Sequence, residues 1–331
     1  MRRLLLTDVI SLLQTLLLLS LTGSSHAELD GYGAMVDPLS IVILVLAVIG
    51  LLVVVIVEII IISKIIRLRG VPWRTVWLGQ ILLLAILLSY LVVFVFAFKP
   101  TVVVCSLERF GVGVCYALML SVLFVKILIV LSPKTDSGFL KFGHQVMVLL
   151  LVWAIQIAIN SQWLILAPSE TESYGIVKVT GPLDRTETLE GQRCSATKFE
   201  TLFFDTLASL VFVLLVHFII LIVTLVAFNR GKRQGKVNSE TRWILLAMSV
   251  NTVLWLLWIL IGAFLLGAGM ATVAIGLWAI ATSTLIIMFV PKLHKLATLK
   301  PGGKCIIFLT TMVEQLSGVV QKFDLTPHFS L

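Results

Sequence analysis

Apolar residues run in long unbroken stretches along this chain, without the alternation of a half-buried strand. After Pro38 seven such runs separate, at about Leu39–Ile62, Thr75–Phe98, Cys105–Leu131, Gln145–Ala167, Leu202–Phe228, Trp243–Leu266 and Ala271–Val290. Each matches the roughly 20 residues that a helix needs to cross a hydrocarbon layer about 30 Å thick. Lipid offers no partner for a backbone N–H or C=O, so each run must satisfy its own hydrogen bonds as a helix. The pattern predicts an all-α membrane protein, a seven-transmembrane helix bundle over residues 39–292, with the last helix ending at Pro291 and a tail over 293–331.

Composition agrees: 59% of the 331 residues are hydrophobic and only 13% are charged. Soluble domains carry about twice that charged share. The first 27 residues pair Arg2 and Arg3 with a short apolar stretch, then Ser25-His26-Ala27. That is the layout of a secretory signal peptide, and it predicts cleavage before Glu28 and a short extracellular segment over 28–38. Asp8 and Gln14 disfavour an uncleaved anchor helix there.

Charge sets an orientation. Lys64, Arg67, Arg69 and Arg74 follow the first run; Arg230, Lys232, Arg233, Lys236 and Arg242 follow the fifth; Lys292, Lys295, Lys300 and Lys304 follow the seventh. Glu28, Asp30 and Asp37 precede the first run, and the segment between the fourth and fifth is net acidic. Positive loops stay cytoplasmic, so the amino terminus is expected outside and the carboxyl terminus inside. The net charge of +8 then reflects topology and attraction to anionic inner-leaflet lipid, with no nucleic-acid partner implied. In the acidic segment Gly175, Gly181, Pro182 and Gly191 alternate with charges, which predicts an irregular or hairpin-like loop.

Cys105 and Cys194 are the two cysteines placed toward the oxidising side, and a bridge between them would pin that loop over the third helix. Cys115 reads as a buried apolar side chain. Cys305, in the basic tail, is a candidate for palmitoylation, with an inert thiol as the other reading.

The chain carries no glycine-rich phosphate loop, no cysteine pairs at metal spacing and no His-Glu-x-x-His; His144, His217 and His294 fall at different depths. Neither an enzyme nor a cofactor is expected. Ionisable groups inside a membrane are costly and mark function. Lys126 stands five residues before the end of the third run, and Glu240 opens the sixth at the same depth. Either Lys126 reaches the headgroups, or it meets Glu240. Phe110, Tyr116, Phe203, Phe204, Trp255, Trp258 and Trp278 read either as aromatic walls for a small apolar ligand or as packing and interfacial side chains. Gln156, Asn160 and Asn251 read as interhelical hydrogen bonds.

Four blocks in order, "KPTVVVCSLERFGVGVCYALMLSVLFVKILIV", "VWAIQIAINSQWLILAPSE", "SETRWILLAMSVNTVLWLLWIL" and "FVPKLH", resemble the transmembrane domain of the class C, glutamate-family G-protein-coupled receptors. The resemblance covers roughly Pro38 to Lys300. It implies an ionic switch between Lys126 and Glu240 that favours the resting state. It also implies a transmembrane pocket whose Trp255 moves on activation, and a disulfide between Cys105 and Cys194. Phe289, Pro291 and Lys292 match the family's Phe-x-Pro-Lys motif, and with Arg230, Lys232 and Arg233 they would face a heterotrimeric G protein. A homo- or heterodimer at the plasma membrane and an unknown ligand follow from the same resemblance.

Many class C receptors capture ligand in a large two-lobed outer module, whereas only about 11 residues, 28–38, lie between the expected cut and the first run. That layout is most similar to the orphan subgroup of retinoic-acid-induced receptors. "RFGVGVCYALMLSVLFVK" also resembles the insect relative bride of sevenless, a membrane-displayed ligand. The alternative function is therefore a membrane-displayed ligand or adaptor that binds partners without nucleotide exchange. A transporter would call for inverted repeats or broken mid-membrane helices, and a retinal pigment for a mid-membrane lysine in the seventh run; neither pattern is present.

Overall fold

A computed structural model describes residues 38–67, 73–98, 101–132, 142–180, 185–196, 207–235, 237–264 and 269–297. The expected signal peptide, the 28–37 segment, Phe203, Phe204, Cys305 and the tail beyond Ala297 lie outside the described residues. The chain divides into a unit of residues 1–38 and one of residues 39–331, and the helix bundle belongs to the second.

Among the described residues seven membrane-length helices form, as the apolar runs require: α1 Pro38–Arg67, α2 Trp73–Val95, α3 Val102–Leu131, α4 Phe142–Leu166, α5 Val211–Arg233, α6 Ser239–Phe264 and α7 Gly269–Ala297. All seven are long and apolar enough to cross a membrane. Between α4 and α5 lies an antiparallel hairpin, β1 Ser169–Thr180 and β2 Arg185–Ala196, in register from Ser169 opposite Ala196 to Thr180 opposite Arg185. Of the two forms the sequence allowed for this loop, the hairpin is the one adopted.

Local sequence explains several helix ends. Pro38 opens α1, where a missing N–H costs nothing. Thr101 caps α3 through its hydroxyl, which accepts from the Val104 N–H at 3.2 Å. At the far end of α5, Arg230, Lys232 and Arg233 sit in the last turn, where a helix favours positive charge. Gly235 then turns the chain with φ of 66°, a left-handed conformation that suits glycine. The expectation that Pro291 ends the last helix is corrected: α7 runs on through it to Ala297. The ring removes one backbone hydrogen bond, and neighbouring helices in a bundle support such an interruption.

Helix α3 is the hub. It packs against α2, α4, α5, α6 and β1. Of its most apolar stretch 72% is enclosed, against 11% for α4, so α4 lies at the rim. Close approach has a local cause at Gly113, where a Cβ would run into the amides of Gln156 and Asn160 on α4. Those amides span helices as expected. Asn160 Nδ2 donates to the Phe110 carbonyl at 2.9 Å, and Gln156 Nε2 donates to Asn160 Oδ1 at 2.6 Å and to the Ser209 carbonyl at 3.0 Å. On the opposite side Asn251 of α6 donates to Thr284 Oγ1 and accepts from Ser283 of α7. Each such bond contributes about 1 kcal/mol within lipid. The Tyr90 hydroxyl meets Thr282 Oγ1 at 2.8 Å and joins α2 to α7.

Candidate functional site

Three groups of polar residues occupy three levels of the bundle. The first lies where α3 and α7 end and α6 begins. Asn238 prepares the start of α6, its Oδ1 accepting from the Glu240 N–H at 3.1 Å, and an acidic residue suits the first turn of a helix. Glu240 Oε1 accepts from Lys292 Nζ at 3.0 Å. The Glu240 side chain is 4% exposed and that of Lys292 is 25% exposed. Lys126 is buried, its Nζ meets no acceptor among the described residues, and it stands within electrostatic range of both Lys292 and Glu240. The expected contact of Lys126 with Glu240 is therefore not a direct bond here. Lys292 reaches the carboxylate from α7 instead, and Lys126 adds a second positive charge beside the pair.

The residues expected on the same face divide in two. Arg230, Lys232 and Arg233 are exposed at the end of α5, and Lys292 and Pro291 are partly exposed. Phe289, expected at that face, is instead 4% exposed and part of the apolar core. An apolar ring in this turn of α7 gains more from burial against its neighbours than from a place at the polar rim.

The second group lies deep in the bundle. Tyr116, Trp255 and Trp258 come together as expected, with ring centroids 5.5 Å apart for Tyr116–Trp255 and 4.8 Å for Trp255–Trp258. All three are buried. Trp258 Nε1 donates to the Thr272 carbonyl at 2.8 Å, and its ring covers Gly276, where a Cβ would strike the indole. Phe110 is partly buried, nearer the disulfide along α3, and its carbonyl holds Asn160. Sequence reasoning missed two members of this group. His217 Nδ1 meets the Tyr116 hydroxyl at 2.8 Å, and His217 Nε2 meets Thr252 Oγ1 at 2.9 Å. Trp255 Nε1 donates to the Tyr116 oxygen at 2.9 Å. The rings pack on one another, so a ligand that entered between them would have to displace Trp255.

The third group closes the hairpin end. Cys105 and Cys194 form a disulfide with Cα atoms 5.7 Å apart, within the ordinary range for a bridge. Arg109 Nη1 donates to the Ala167 carbonyl at 2.7 Å and to Ser169 Oγ at 3.1 Å, which fixes the start of β1 against α3. Glu108 is buried beside the bridge, with Oε2 3.7 Å from Cys194 Sγ. Cys115 is a free, buried thiol, as expected. Among the described residues no cluster of His, Cys, Asp or Glu has the spacing of a metal site. Against known families, residues 34–292 match the model described as "7 transmembrane sweet-taste receptor of 3 GCPR".

Proposed function

We propose, for a chain that belongs to the class C G-protein-coupled receptor family, a plasma-membrane receptor that passes an extracellular or intramembrane ligand signal to a heterotrimeric G protein. The chain is a multi-pass membrane protein and a non-enzymatic receptor by family. Its layout fits the retinoic-acid-induced subgroup, and a homo- or heterodimer suits the class. The lysine- and arginine-rich end of the bundle is the cytoplasmic one, as positive charge favours, and the disulfide-pinned hairpin faces outward.

The observation that carries this reading is the buried carboxylate of Glu240, held by Lys292 of α7 and flanked by Lys126 of α3. One anion thus restrains the ends of three helices at the face where a G protein would dock. Exposed ion pairs contribute about 0–1 kcal/mol, whereas breaking a fully desolvated pair costs about 3–5 kcal/mol. This contact is buried on one side and partly exposed on the other, so it falls between those limits. A gap of a few kcal/mol is what a two-state element needs to be switched by a ligand. Displacing α6 separates Glu240 from both lysines and opens a cleft bordered by Arg230, Lys232 and Arg233 of α5. Trp255, deeper on the same helix, links that displacement to a ligand in the transmembrane pocket formed with Phe110, Tyr116 and Trp258.

The test is basal guanine-nucleotide exchange in cells at matched surface expression. Lys126→Ala, Lys292→Ala and Glu240→Ala should each raise basal output, and Lys126→Glu combined with Glu240→Lys should return toward native. Silence of every variant across the G-protein classes would remove the receptor reading. The ordered twelve-pair hairpin favours a second reading, a displayed ligand or adaptor without nucleotide exchange. Capture of a partner through the hairpin by a chain silent in exchange would establish it.

A further inference from the structure

The hydrogen bonds around Trp255 have one direction, and that direction fixes a histidine. An indole N–H can only donate, so Trp255 Nε1 gives its proton to the Tyr116 oxygen. The Tyr116 hydroxyl has a single proton left to place, and the acceptor beside it is His217 Nδ1 at 2.8 Å. Nδ1 must then be the bare nitrogen, and a neutral ring carries its proton on Nε2. That N–H points at Thr252 Oγ1, 2.9 Å away, and Thr252 passes its own proton to the Met248 carbonyl at 2.8 Å. Every donor in the chain of bonds is used once. With the proton on Nδ1, or on both ring nitrogens, the buried Tyr116 hydroxyl would have no acceptor among the described residues. Low-dielectric surroundings make such an orphan costly and a complete chain mutually reinforcing.

We infer that His217 is the positioning residue for Trp255: as the Nε2–H tautomer it aligns the Tyr116 hydroxyl that anchors the indole, and it ties α5 to α3 and α6. The inference rests on the receptor reading only for its consequence in signalling; the bonds themselves stand without it. His217 is 1% exposed, and the Phe218 ring lies edge-on to its imidazole at 5.7 Å. Trp255 belongs to α6, the helix whose other end carries Glu240. Loosening its indole therefore acts on the same helix that the charged cluster restrains, from about two-thirds of the way along the membrane span.

Two measurements decide it. In the full chain reconstituted in lipid nanodiscs with ¹⁵N-labelled histidine, one imidazole should show a solvent-protected Nε2–H and an unprotonated Nδ1. That signal should vanish in His217→Gln. A protected Nδ1–H, or a doubly protonated ring, would overturn the inference whether or not the protein signals. In thermal unfolding, Tyr116→Phe and His217→Leu should be strongly non-additive, because either one breaks the same chain, while Tyr116→Phe and Lys292→Ala should add. Additivity of the first pair would contradict the relay. In basal exchange, His217→Leu and Thr252→Val should raise output severalfold, with His217→Gln, whose amide both accepts and donates, returning it toward native. Equal output from Leu and Gln variants that keep native thermal stability would reduce His217 to a packing residue and overturn the positioning role.

Discussion

A single carboxylate facing two lysines makes the ends of α3, α6 and α7 unequal in what each contributes. Among the described residues Glu240 is the acidic member of the cluster, and it is nearly enclosed. Its removal leaves two ammonium groups without a counter-charge, so Glu240→Ala should lower unfolding stability by about 3 kcal/mol. Lys292 is a quarter exposed, and Lys292→Ala should cost about 1 kcal/mol. Thermal unfolding of the purified receptor checks the order, and equal losses would mean that the Glu240–Lys292 bond is solvated and weak. Lys126→Met should behave differently from both. It removes a buried amine that meets no acceptor among the described residues, so stability should hold or rise even as basal output increases. How much of this was legible differs residue by residue. Lys126 and Glu240 were readable from the chain as charges at one level of the bundle, whereas the direct contact expected between them does not form. That Lys292 would take the bond was not readable, because it depends on α7 continuing past Pro291 and carrying the ammonium inward. His217 lies at a different depth from His144 and His294, so no histidine cluster marks it in the sequence. Counting inward from the basic end would have paired it correctly: Tyr116 lies ten residues from Lys126, Thr252 twelve from Glu240 and His217 thirteen from Arg230.

At the scale of elements, α3 is held by small residues and by one covalent tie. Gly113→Ala pushes a methyl group into the Gln156 and Asn160 amides, and α4 cannot retreat without breaking the Asn160 bond to Phe110. Overpacking of this kind costs about 1–3 kcal/mol, and the variant should show that loss in thermal unfolding together with faster hydrogen exchange in α4. Gly79→Ala, where an added Cβ would meet nothing, is the control and should be neutral. The Cys105–Cys194 bridge closes a separation of 89 residues, and Cys194→Ala should cost about 2–5 kcal/mol. Its effect should concentrate in the hairpin, measured as loss of exchange protection in 169–196, with the α6–α7 pairing unchanged. The hairpin was legible only as one of two possibilities. Its glycines and charges mark a turn-rich segment, but a strand pairing between polar segments leaves no apolar alternation to read. The seven helices, by contrast, follow from run length alone, since lipid leaves the backbone no other way to satisfy its bonds.

The described helices form a bundle around α3 with polar chemistry at three levels: a disulfide-closed end, an aromatic and hydroxyl layer deep inside, and a carboxylate beside two lysines at the other end. Long helices join the levels: α6 carries Thr252 and Trp255 in one and Glu240 in another, and α3 carries Tyr116 and Lys126 in the same two. The orientation proposed here makes a direct prediction. A small epitope placed at residues 181–184 should be labelled on intact cells, and one placed in the segment joining α5 and α6 only after permeabilisation; the reverse pattern would invert the topology. The central claim is that release of Glu240 turns the bundle into an activator of a heterotrimeric G protein. Its most direct test is guanine-nucleotide exchange by purified G proteins mixed with the full chain in nanodiscs, native against Glu240→Ala. The account predicts faster exchange with the variant for at least one G-protein class. Exchange that stays at the receptor-free rate for every class, with native and variant alike folded and disulfide-bonded, would contradict it.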